Sequence, residues 1–199
     1  MSEPFRIVTV CTMNICRSPV AEELLRRSFN DAGFDDSAVL VRSAGIKVRE
    51  GAPLCDVAQS LIGNLEPEGT ANQVTREQLA DADLVLTADR RHRSACIELE
   101  PNCAPHAFTL REAARACEFV PDSRQASVLE VVGRMNELRN NPDNQSVSNV
   151  RPSPFVPHDD DIADPHVVGF GHHGPSIQLV TDATTSIAAT LLQSGTFRP

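Results

Sequence analysis

A cysteine, five intervening residues and an arginine, with serine and proline directly after, can both bind and attack a phosphate. The chain carries this arrangement as Cys11-Thr12-Met13-Asn14-Ile15-Cys16-Arg17-Ser18-Pro19. Successive backbone N–H groups of such a loop can converge on one anion, and a helix beginning at its end adds partial positive charge. The Arg17 guanidinium can grip two oxygens at once. Thr12, Met13, Asn14, Ile15, Cys16, Arg17 and Ser18 are the expected phosphate-binding residues, with a phosphoryl dianion seated over the Cys11 sulfur. The same field favours a thiolate, so Cys11 is expected to be a nucleophile at neutral pH. On this spacing alone, a buried strand-end cysteine beside a surface arginine stays an open alternative.

The flanking sequence must position that loop. Phe5 to Val10 is a short β-branched run ending at Cys11, and apolar residues recur at helical spacing from Val20 through Leu24, Leu25 and Phe29. Further strands fit Val39–Ser43, Leu84–Thr87 and, more weakly, His106–Leu110, each followed by helix-like sequence. A helix is expected over Arg124–Leu138, a loop over the Asn-, Ser- and Pro-rich stretch from Asn140 to Pro157, and a last helix from about Ser176 to Leu192. Strands alternating with helices predict an α/β fold: a three-layer, doubly wound, four-stranded parallel sheet with the phosphate loop after the first strand.

Composition limits the partners. The 199 residues are 41% hydrophobic with a formal net charge of −9, which fits one globular domain and argues against broad binding to nucleic acid or anionic lipid. Seventeen of the eighteen basic residues are arginine, which suits local phosphate recognition. No apolar run approaches a membrane span, and MSEPFRIVTV does not read as a signal peptide, so a cytoplasmic protein with reduced thiols is expected. Tyr and Trp are absent.

The loop resembles the signature of the low-molecular-weight protein tyrosine phosphatases, differing only in Met13 where the family has glycine. The likeness continues at Ala21-Glu22, Ser43-Ala44-Gly45, Ala82 to Thr87, His92 and Asp164-Pro165, and implies one phosphatase domain over 1–199. It assigns Cys11 as the nucleophile that forms a phosphocysteine, Arg17 as the phosphate clamp and Ser18 as the hydroxyl that eases departure of the sulfur. Asn14 would hold the loop in a strained shape with Ser43 as its brace. Asp164 would protonate the leaving group, a step an alkoxide or phenolate needs, and then activate water. Cys16 would trap Cys11 in a reversible disulfide, or else simply pack. The implied substrate is a phosphorylated protein, with phosphotyrosine expected.

The chain departs from the family in three respects. His166 stands where phosphotyrosine-preferring members have Tyr, and Ile46 to Gly51 offers no aromatic wall. Ile15, where phosphoarginine phosphatases tend to have Thr, favours an aryl phosphate. Excess length falls at about 112–158 and reads as a tolerated surface insertion. The rival readings are an arsenate reductase of the same fold, for which Cys96 and Cys103 would be relay thiols although Asp89 stands at the expected relay position, and a non-catalytic phosphoprotein-binding module. His158, the run Asp159-Asp160-Asp161, Asp164, His166, His172 and His173 could ligate a metal, but their spacing fits no metal motif, so no metal or organic cofactor is expected. A solvated acidic turn is the plainer reading of that run.

Overall fold

The structure, a computed structural model, describes residues 3–49, 51–63, 70–121, 123–139 and 159–197. Four strands, β1 (Phe5–Cys11), β2 (Val39–Gly45), β3 (Leu84–Thr87) and β4 (Ala107–Thr109), form one sheet in the order β2-β1-β3-β4. Every pairing is parallel, with Cys11 opposite Gly45 and Val10 opposite Thr87 at the carboxyl ends. β1 is central and buried at every position but Arg6, which is why it is mostly apolar, with Thr9 the other polar exception.

Helices cover both faces, as expected for a doubly wound sheet. Ile7, Val39, Val41, Leu84, Leu86 and Phe108 point to one face, packed by α1 (Arg17–Asp31), α5 (Leu110–Cys117), α6 (Val128–Arg139) and α8 (His173–Leu192). Val8, Val10, Val85 and Ala107 point to the other, packed by Leu79 of α3 (Arg76–Ala80) and Cys96 of α4 (Arg90–Leu99). Two short helices, α2 (Asp56–Leu61) and α7 (Pro165–Val168), stand near the carboxyl end of the sheet. A terminal 3-10 turn, Gly195–Phe197, sets the Phe197 ring against Phe5, Phe29 and Phe34 at centroid distances of 6.3, 5.5 and 5.2 Å.

Two helix starts differ from expectation. α6 begins at Val128 rather than Arg124 because Ser127 and Glu130 exchange hydrogen bonds in a capping box, the Glu130 N–H reaching Ser127 Oγ at 3.2 Å and the Ser127 N–H reaching Glu130 Oε2 at 2.7 Å. α8 begins at His173 rather than Ser176, since Pro175 is tolerated in a first turn. The described part of the expected insertion is largely helical, comprising α6 and most of α5. The proposed loop from Asn140 to Pro157, and His158, lie outside the described residues. No helix among the described residues is long and apolar enough to cross a membrane.

Candidate active site

β1 ends with Cys11 buried at 2% exposure, and α1 starts at Arg17. The chain between them turns on Asn14, whose φ of 56° is the one positive value at a non-glycine among the described residues. Asparagine tolerates this region better than most residues, and here its side chain also anchors the turn. Asn14 Nδ2 donates to Ser43 Oγ at 2.8 Å and to Ser18 Oγ at 3.1 Å, while Oδ1 accepts from the Asn72 N–H at 2.7 Å. Ser18 Oγ stands 3.1 Å from both Cys11 Sγ and the Ala44 carbonyl, so its single proton serves one of them at a time.

β2 braces the loop from the side. The Ile46 and Lys47 N–H groups donate to the Cys11 and Thr12 carbonyls at 3.0 and 2.8 Å. Gly45 permits that approach: a Cβ there would lie 2.8 Å from the Thr12 carbonyl oxygen and 2.9 Å from the Asn14 nitrogen. The N–H groups of Thr12 through Cys16 find no acceptor among the described residues.

Arg17 is 2% exposed and joins the two halves of the site. Nη1 donates to the Ile162 carbonyl at 2.8 Å, and Nη2 to Asp164 Oδ2 at 2.6 Å and Thr12 Oγ1 at 3.4 Å. Asp89 Oδ2 lies 3.9 Å from Nη1. A ring of contacts closes through His92, whose Nε2 is 2.9 Å from Thr12 Oγ1 and whose Nδ1 is within ion-pair distance of Asp89 Oδ1 at 3.0 Å, without hydrogen-bond alignment. Burial pushes the Asp89 carboxyl up, but the His92 side chain and N–H and the Arg17 charge outweigh it and leave Asp89 below the usual carboxylate range.

The segment before Asp164 is fastened to the β3–α4 corner. Arg90 holds Asp161 through its N–H, Nε and Nη2 at 3.0, 3.2 and 3.2 Å, and Arg115 pairs with Asp160. The Ile162 N–H donates to the Ala88 carbonyl at 2.9 Å, and Ser176 Oγ to the Ala163 carbonyl at 3.0 Å. Asp160 and Asp161 are therefore neither a solvated acidic turn nor part of a ligand cluster; they are the pins of the acid segment. Asp164 itself caps α7, its Oδ1 accepting the His166 N–H at 3.0 Å, while Oδ2 faces Arg17.

The expected site residues Cys11, Asn14, Arg17, Ser18, Ser43 and Asp164 thus converge. Cys16 is buried and faces Cys55, and burial, with the neighbouring Cys55 and Cys11 thiols, pushes its own thiol up. Cys96 and Cys103 lie fully buried in the core on the α3–α4 face of the sheet, and burial pushes both thiols up, that of Cys96 to about 12. Met13 and Ile15 are partly buried loop residues, Ile15 packed against the larger core. Asp161, expected only as part of an acidic turn or a metal-ligand set, is instead held by Arg90, for which the sequence offers no role, and the contact partners of Gly45 and His92 emerge only in the fold.

A family model for the low molecular weight phosphotyrosine protein phosphatases matches residues 6–130, and the chain belongs to that family. It is 30% identical over 122 residues to the low molecular weight protein-tyrosine-phosphatase Wzb of Escherichia coli, covering 61% of this chain and 79% of that one. It is 31% identical over 111 residues to a protein-arginine-phosphatase of Geobacillus stearothermophilus, covering 55% and 71%. In fold it superposes on a YwlE mutant from Bacillus subtilis with a TM-score of 0.63 at 20% identity, over 94% of this chain and 98% of the other. Asp164 lies beyond the matched stretch, so its place in the site rests on the geometry alone.

Proposed function

We propose that the chain hydrolyses phosphate monoesters on protein side chains, phosphotyrosine foremost, in two steps through a phosphocysteine. One observation carries this reading: Arg17, from the nucleophile loop, is hydrogen-bonded to Asp164, 147 residues away in sequence, in a site that also holds Ser18 against Cys11. The Cys11 sulfur attacks phosphorus while Arg17 exchanges its Asp164 partner for phosphoryl oxygens, joined by the loop N–H groups. As the P–O bond breaks, the sulfur–phosphorus bond forms and Asp164 gives its proton to the departing oxygen. Water then attacks phosphorus, Asp164 takes its proton, and the thiolate leaves with a hydrogen bond from Ser18. Asn14 and Ser43 keep the loop in shape.

An aryl substrate is favoured by aliphatic rather than aromatic surface: Val167 and Val168, directly after the Asp-Pro pair, are 81% and 46% exposed. A cytoplasmic setting is supported by six cysteines, all free.

Hydrolysis of para-nitrophenyl phosphate under reducing conditions, with chelator present, tests the mechanism. Cys11→Ser is expected to abolish turnover, and Asp164→Ala to slow it by about 10²–10⁴-fold. The Asp164→Ala loss should be greater with phenyl phosphate, whose leaving group needs the proton more. Among peptides, phosphotyrosine should be cleaved ahead of phosphoserine and phosphoarginine. Binding of phosphopeptides without cleavage of any of them would make the loop a recognition site and end the enzymatic reading.

A further inference from the structure

Two cysteines and two histidines from four separate helix starts meet beside the nucleophile loop. Cys16 is the residue before α1, Cys55 the residue before α2, His166 the second residue of α7 and His173 the first of α8. One ligand atom from each lies within 4.8 Å of all the others. A tetrahedral zinc with two sulfurs at about 2.3 Å and two nitrogens at about 2.0–2.1 Å needs ligand separations of roughly 3.3–3.8 Å, so a contraction of at most about 1–1.5 Å assembles the site. The two imidazoles already stand edge to face, with centroids 4.9 Å apart and planes at 86°.

Each ligand is held by its backbone. The Cys55 N–H donates to the Ile15 carbonyl at 2.7 Å, which ties α2 to the residue before Cys16. The His166 N–H is fixed on Asp164, and α8 is fastened to the acid segment through Ser176. Cys16 and His173 are buried, Cys55 is partly exposed and His166 is exposed, so an ion can enter from the His166 side. The chain has 27 carboxylates, yet the one group of three or more closely spaced potential ligands among its described residues contains none of them. Two thiolates and two imidazoles select zinc or a similarly soft divalent ion over magnesium or calcium.

We propose that Cys16, Cys55, His166 and His173 form a tetrahedral site for a zinc-like divalent cation that joins the phosphate loop to the acid segment. Four protein ligands complete the coordination sphere, so the ion is a clamp and not a reagent. The spacing along the chain, 16, 55, 166 and 173, has no local motif, which is why the sequence reading, looking to the acidic run, expected no metal. The assignment is independent of the hydrolytic reading and survives if no phosphoester is cleaved.

Titration of Co²⁺ into the reduced, metal-stripped full chain tests it. The expected result is one equivalent bound, with tetrahedral d–d absorption and thiolate-to-cobalt charge transfer, both lost on adding Zn²⁺. Zn²⁺ should also raise the thermal midpoint of the unmodified chain. Cys55→Ser and His166→Gln should each weaken cobalt binding by at least about tenfold, the least that loss of even a supporting residue costs. Cys11→Ser should bind as the parent does. His166 is exposed, so His166→Gln carries the test if Cys55→Ser fails to fold. Absence of a stoichiometric complex, a spectrum without thiolate charge transfer, or binding that survives His166→Gln but is lost in Cys11→Ser overturns the site.

Discussion

Asn14 combines two effects that substitution can separate. Its positive φ carries strain, and its amide makes three hydrogen bonds inside the site. Asn14→Ala keeps the strain and loses the bonds, so a loss of about 2–3 kcal/mol in urea denaturation is expected, with turnover falling at least about tenfold. Asn14→Gly relieves the strain but leaves Ser43 and the Asn72 N–H without their partner, so it should recover stability only in part and activity little. Full recovery by glycine would show that backbone shape alone is what Asn14 supplies. This residue was legible in the sequence because it sits inside a contiguous motif, where types and spacing fix the geometry together. Gly45 and Cys55 were not legible in their contacts. The first is needed because the β1–β2 register brings it against Thr12 and Asn14, and the second is placed by the path of a distant turn.

At the scale of elements, the β3–α4 corner carries much of the site's order. Asp89 is the N-cap of α4, accepting the His92 N–H at 2.9 Å, and it also faces Arg17. Its carboxyl is held below the usual range, so the stability it contributes is present above the ordinary carboxylate pKa of about 4 and is lost as pH falls through the depressed value. Asp89→Ala should cost about 1 kcal/mol at neutral pH through the lost cap, with the two proteins' denaturant midpoints drawing together in acid, below the ordinary carboxylate range. A gap unchanged by pH would mean that Asp89's charge plays no part. The strands were largely legible, Leu84–Thr87 to the residue, because a buried parallel strand must be a short apolar run. Helix starts were less so, although Ser127 and Glu130 were a capping signal available in the sequence. The pinning of Asp160 and Asp161 by Arg115 and Arg90 was beyond reach, since it depends on tertiary approach.

At the scale of the whole molecule, the sheet's order makes the two ends of the described chain neighbours. α8 packs on α1 and α5, and Phe197 fills the space among Phe5, Phe29 and Phe34. Phe197→Ala should therefore cost about 3–5 kcal/mol and lower the thermal midpoint by on the order of 10 °C, with activity and far-ultraviolet ellipticity lost together. Loss of activity well before ellipticity would show that the site is a separately melting unit. The distance along the chain between Cys11 and Asp164 also bears on biosynthesis. Synthesis runs from the N-terminus, so a ribosome must have passed residue 164, and made α8 as well, before Arg17 can meet its carboxylate and α1 its cover. A nascent chain of this protein carries its reactive sulfur well before it gains its acid. Chains not yet extended past Asp164 should therefore be silent toward phosphoesters, yet open to oxidation at the thiol that the fold encloses.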